Sequence, residues 1–222
     1  MRSLLAALQH GDSLFPSGGF AFSQGMEASI GETATLGPFD LEAFVAIQVR
    51  FRWANADRVA VVRAHRAESP EAAAEVDREV EASTLVEALR TGSRRNGTAF
   101  LTAHVRMGTP RSDAYRSLVR SGQACGHLAV LQGFLWRAVG LGESEAAGMS
   151  GYTLVAGLMA AAIRLGAVGA LEAQAMTTRL LGTVEDMATA PVADDQPLSS
   201  FVPLAEIAAM RHGESGQRLF AN

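Results

Sequence analysis

The sequence predicts an all-α protein, a single-domain helical bundle of roughly eight to ten helices with no sheet. Hydrophobic residues make up 48% of the chain but aromatics only 6%. Alanine fills much of the apolar share, and it favours helix over strand. Apolar residues recur at spacings of three and four, and no segment alternates with period two. No stretch is long or biased enough to be a linker, and no repeat is visible, so 1–222 reads as one domain.

The elements follow in order. Leu4, Leu5 and Leu8 share a face on a first short helix. Gly11 to Gly19 is a turn-rich loop, and Gly31 to Pro38 is a second connector. Leu41, Phe44, Val45 and Phe51 recur near helical spacing, followed by Val59 and Val62. Ser69-Pro70-Glu71 has the form of a helix start: a serine cap, proline at the first position and an acid in the first turn. From Glu71 to Leu89, acids and arginines alternate with Val76, Val80 and Leu85, which reads as a helix with a solvated charged face. Gly108-Thr109-Pro110 breaks the pattern, and Arg111 to Gly140 supplies one or two helices. Tyr152 to Leu165 is apolar nearly all round, so a buried central helix is expected. Ala173, Met176, Leu180, Val184 and Met187 form a stripe. Pro191 to Pro197 is a loop with two acids, and a last helix after Pro203 carries Ile207 and Met210.

Composition removes several functions. All 19 basic residues are arginine. A phosphate-binding loop of the Walker type needs its lysine, and so does Schiff-base chemistry. The net charge is −4 and the pI about 5.7, which argues against a duplex nucleic-acid binder. Arg94-Arg95 is the only adjacent basic pair, too small for a basic recognition helix. Cys125 is the single cysteine, so an internal disulfide and a multi-cysteine metal site are both excluded. The first eight residues are too short for a signal peptide, and the longest uncharged apolar stretch, Gly151 to Ile163, falls short of the ~18–20 residues that span a bilayer. A cytoplasmic protein without membrane or nucleic-acid partners is expected.

The densest cluster of unusual residues runs from Phe15 to Glu27. A serine nucleophile elbow would need glycine where Ala21 stands, two residues before Ser23, and a strand before it. The remaining readings, a glycine turn into a helix and a binding surface, are compatible with each other. The five histidines, His10, His65, His104, His127 and His212, show no metal-ligand spacing. The glycines of Gly122-Gln123-Ala124-Cys125-Gly126 suggest close helix packing, with Cys125 as a small buried residue between them. The end of the chain places Arg218, Leu219 and Phe220 after two glycines that disfavour helix, a segment expected to order only when a partner supplies packing.

At these two motifs the chain resembles the urease accessory protein UreF family. Phe15-Pro16, Gly18, Phe20, Ser23, Gly25 and Glu27 match the family's N-terminal signature, with Met26 for the usual leucine. Glu87 to Arg90, Ser93 to Gly97 and Gly126-His127-Leu128 match its middle, and Met210-Arg211-His212 with Arg218-Leu219-Phe220 its end. Gly213 and Gly216 depart from the pattern, standing where the family has an acid and a tyrosine.

The resemblance implies a homodimeric, non-enzymatic scaffold that helps load nickel into apo-urease. It implies two partners: the nickel-carrying GTPase UreG and the accessory protein UreD, also called UreH. Pro16, Gly18, Phe20, Ser23 and Glu27 would serve the GTPase side. Met210, Arg211, His212, Arg218, Leu219 and Phe220 would serve the UreD side. It extends to control of GTP hydrolysis, with nickel handled by the complex and no cofactor or metal ligand assigned to this chain. The competing reading is a serine-dependent hydrolase built on Ser23, which would require Ser23 in an open pocket within reach of a base.

Overall fold

The computed structural model describes residues 1–17, 22–31, 39–212 and 220, with His212 described by its backbone alone. Among the described residues there are ten helices and no strand, counting residues 41–66 as one continuous rod. They are α1 (Arg2–Gly11), α2 (Met26–Gly31), α3 (41–66), α4 (Pro70–Ser83) and α5 (Glu87–Arg106), then α6 (Ser112–Arg120), α7 (Leu128–Val139), α8 (Glu143–Arg164), α9 (Ala170–Ala188) and α10 (Pro203–His212).

The rod α3 organises the core because its two faces serve two apolar clusters. Ala60, Val61 and Ala64 join Phe100, Tyr115, Leu131, Phe134 and Trp136 in one. Val45, Val49, Trp53, Val59 and Val62 join Leu158, Leu180 and Val184 in the other. Helix α7 packs closely on α3: a Cβ on Gly133 would lie 2.1 Å from the Val61 carbonyl oxygen. Side chains fix the ends of these elements. Arg137 donates to the carbonyls of His65, Arg66 and Ala67 at 3.0–3.1 Å, satisfying acceptors left open where α3 stops. Arg66 binds Glu143 through two 2.7 Å bonds and Asp194 through another, tying α3 to α8 and to the 191–197 loop.

Ser69 caps α4 as its sequence predicts, accepting from the Ala72 N–H at 3.2 Å. The stripe on α9 packs as expected, with Ala173, Leu180 and Val184 buried and Met176 and Met187 at the cluster's edge. Three expectations need correction. The segment from Glu71 to Leu89 is two helices, broken at residues 84–86, and its Asp77 is fully buried rather than solvated. The Gly122–Gly126 run lies between α6 and α7, where both glycines take positive φ (76° and 81°), so it is a turn and not a helix contact. Helix α8 is longer than its apolar run and only partly covered: Tyr152 and Ile163 are 37% and 38% exposed. By length and composition it is the one helix among the described residues able to cross a membrane, yet 56% of its apolar window is packed inside the protein.

The middle of α3, Val49–Asp57, is a π-helix. Its backbone carbonyls take part in bonds to a neighbouring segment. Two of them accept from the segment before α10: Ser199 N–H bonds Asn55 O at 3.1 Å, and Phe201 N–H bonds Phe51 O at 3.0 Å. This docking brings Phe51 and Phe201 to the same face of the molecule.

Candidate functional site

The two terminal motifs meet. Gly25 holds φ +83°, and a Cβ there would sit 2.4 Å from the Ala205 carbonyl oxygen, so α2 can lie directly on α10 only with glycine at this position. Phe22 is buried against α5, where a Cβ on Gly92 would lie 2.1 Å from its ring. Glu27 accepts from the Phe220 N–H at 3.2 Å, and the Arg164 guanidinium stands 4.2 Å from the Phe220 ring centroid. On the other side Ala209 of α10 packs on Val86 and Leu89 at the start of α5.

The expected site residues therefore divide. Pro16, Met210 and Arg211 are exposed, Glu27 is half-buried, and Ser23 and Phe220 are buried. Gly18, Phe20, Arg218, Leu219, Gly213, Gly216 and the His212 side chain lie outside the described residues. Burial of Phe220 revises the expectation that the end of the chain packs only through a partner. Ser23 has no exposed surface, and its hydroxyl faces the Glu27 N–H at 3.5 Å, at the start of α2. No substrate can reach it in that position, which speaks against the hydrolase reading.

Beside this junction runs an apolar groove of about 450 Å³. Phe39, Phe44, Ile47, Phe51, Phe201 and Leu204 line it, and Ile47, Phe51, Phe201 and Leu204 are 45–76% exposed. Sequence periodicity could not reveal it, because Phe51 and Phe201 are 150 positions apart and meet only through the Phe201 N–H bond to the Phe51 carbonyl.

The middle motifs converge as well. Asp77 Oδ2 accepts from the N–H groups of Cys125 and Gly126 at 2.7 and 2.6 Å and from the Tyr115 hydroxyl at 3.0 Å, while Oδ1 accepts from the His127 N–H at 2.9 Å. Burial and the Asp77 charge hold the Tyr115 hydroxyl well above its usual range, so it stays a donor. Gly97 lets this loop approach α5: a Cβ there would lie 1.9 Å from the Gly126 carbonyl oxygen. His127 Nδ1 and Ser93 Oγ are 3.0 Å apart, and His127 Nε2 is 2.8 Å from Glu81 Oε2.

A family model for UreF matches residues 37–181. The urease accessory protein UreF of Trichodesmium erythraeum is 30% identical over 226 aligned residues, covering 98% of this chain and 96% of the relative. Those of Yersinia enterocolitica and Yersinia pseudotuberculosis are 29% identical over 225 residues, covering 99% of this chain and 98% of each relative. The chain belongs to the UreF family.

In this UreF chain the residues carrying the resemblance are thus spatial neighbours. Ser93 and Gly97 of α5 meet Gly126 and His127, and Glu27 meets Phe220. A second feature went unseen in the sequence. Glu81, Cys125 and His127 each offer one ligand atom to a cluster whose members lie within 4.8 Å of one another. No spacing announces it, because Glu81 comes from α4 and the other two from the turn before α7. Each of the four histidines with described side chains is hydrogen-bonded, including the buried His10 and His104, whose rings stack at 5.0 Å.

Proposed function

We propose that this chain is a non-enzymatic, cytoplasmic scaffold for urease maturation. In this reading it works as a homodimer that joins the GTPase UreG to UreD (UreH) and so delivers nickel to apo-urease, with influence on GTP hydrolysis. Family membership supports the coarse role. The observation that carries the finer reading is the junction between Glu27 and Phe220 beside an exposed apolar groove. Interaction surfaces use apolar and aromatic anchors with charged residues at their rims. Phe51, Phe201 and Leu204 are such anchors, and Met210 and Arg211 extend the surface along α10.

UreD would engage the α10 side through Met210, Arg211, His212, Arg218 and Leu219, with the buried Phe220 holding that side against Glu27 rather than touching the partner. The GTPase would use the side carrying Pro16, Gly18, Phe20, Ser23 and Glu27, with the buried Ser23 shaping α2 rather than touching the partner. The bond from Phe220 to Glu27 links the two sides. Met210 and Arg211 are exposed, so Met210→Glu and Arg211→Glu test docking without disturbing the core. An interface anchor contributes about 2 kcal/mol, so the double variant should bind UreD about thirtyfold more weakly with unchanged melting temperature. Unchanged affinity would contradict the assignment of α10 to UreD.

A further inference from the structure

We propose that Glu81, Cys125 and His127 form an open three-ligand site for a divalent transition-metal ion of the zinc–nickel class. Thiolate, imidazole and carboxylate together suit such borderline ions, whereas magnesium and calcium select oxygen ligands. Three protein ligands leave a fourth position for water or an incoming ligand, the arrangement of reactive and transfer sites rather than closed structural ones.

The frame is rigid where it must be and adjustable where it must close. His127 is fully buried and capped by Ser93, and the backbone of residues 125–127 is clamped by Asp77. Glu81 and Cys125 are partly exposed. Ligand atoms around a tetrahedral ion stand about 3.3–3.7 Å apart, so rotation of these two side chains closes a cluster already within 4.8 Å. With no ion bound, His127 Nε2 lies 2.8 Å from Glu81 Oε2 and Nδ1 3.0 Å from Ser93 Oγ, a geometry that fits a ring donating through Nε2–H to the carboxylate. With an ion on Nε2, the ring proton sits on Nδ1 and donates to Ser93 Oγ. A hydroxyl serves both tautomers, the outer-sphere support that metal-bound histidines need. Glu81 Oε1 is occupied by Arg94 at 3.1 Å and approached by Arg90 at 3.3 Å, leaving Oε2 for the ion. These two cations weaken the hold on a dication, which suits reversible loading.

The ion binds the thiolate, so binding releases the Cys125 proton. The site rests on these side chains alone and does not depend on the UreD and UreG assignments.

The test is titration of the reduced, metal-free full chain with cobalt(II), followed by zinc(II) and nickel(II). Cys125 is the only cysteine, so any sulfur-to-cobalt charge-transfer absorption reports this site. One cobalt per chain with that absorption, displaced by zinc and protecting the thiol from disulfide reagents, is the expected result. Cys125→Ser should abolish the absorption and weaken binding about 100-fold, and Glu81→Gln about tenfold or more. Both positions are partly exposed, and melting curves are to be recorded to check that the variants fold. His127 is buried, so its replacement is not needed for the decision. A thiol that stays fully reactive under saturating metal, or binding unchanged in Cys125→Ser, overturns the proposal.

Discussion

The N–H of Phe220 donates to the carboxylate of Glu27 across 3.2 Å, joining residues 193 positions apart. The Phe220 ring is buried to 4% exposure with Arg164 over its face. The last aromatic of the chain is thus part of the folded body. Phe220→Ala should cost about 3 kcal/mol in urea unfolding, the usual cost of removing a buried phenyl ring. An unchanged unfolding midpoint would mean that Phe220 packs only when a partner is present.

Asp77 satisfies three backbone N–H groups and a tyrosine hydroxyl from one buried position. Asp77→Ala leaves all four donors without an acceptor and should cost at least about 3 kcal/mol. Asp77→Asn keeps one oxygen acceptor and turns an NH₂ toward donors. It should be nearly as damaging, although nearly isosteric. Chemical denaturation of both variants, with amide exchange of residues 125–127, measures this. Protected amides in Asp77→Ala would contradict it.

Two glycine-to-alanine changes on helices should have opposite signs. In Gly133→Ala the new Cβ meets the Val61 carbonyl oxygen at 2.1 Å, a backbone atom that cannot rotate away. Separation of α7 from α3 should cost about 3 kcal/mol, at the upper end of overpacking. In Gly182→Ala on α9 the Cβ meets nothing within 4 Å, and the gain in helix propensity should stabilise by up to about 1 kcal/mol. Thermal melts of the pair report both, and equal effects would refute the packing argument.

Burial lowers the pKa of His104 from 6.5 to about 3, with a smaller push from the neighbouring His10, and burial also lowers His10 itself. The unfolded chain takes up these protons from pH 6.5 downward while the folded chain resists. Stability is therefore complete above about 6.5 and falls as pH drops toward 4.5, with a slope approaching about 1.4 kcal/mol per pH unit from His104, to which His10 adds in the same direction. Carboxylates such as Glu79 and Glu143, whose arginine partners lower their pKa from 4.5, lose their contribution only below that window. Urea unfolding at pH 7 and pH 5 should therefore separate sharply, and His104→Gln should reduce the separation. No change between the two pH values would contradict the neutral, buried pair.

Local signals were legible in the sequence where local chemistry decides the outcome. Ser69 before Pro70 reads as a cap because the serine oxygen reaches an amide three residues on, and the α9 stripe reads as core because its period is that of the helix. Asp77 reads as solvated from the sequence because its donors come from residues 38–50 positions later. The same long reach hides the Glu81–Cys125–His127 cluster and the groove that Phe51 shares with Phe201. The family signature names residues at both ends, and only the fold places Glu27 against Phe220.

The proposed role, enabling nickel loading of urease, has a direct test. Counting nickel per active site in urease purified from the host with and without this chain tests it most directly. The account predicts that urease made without it is assembled but poor in nickel, and that restoring the chain restores the metal. Urease with its full nickel complement in the absence of the chain would contradict the account.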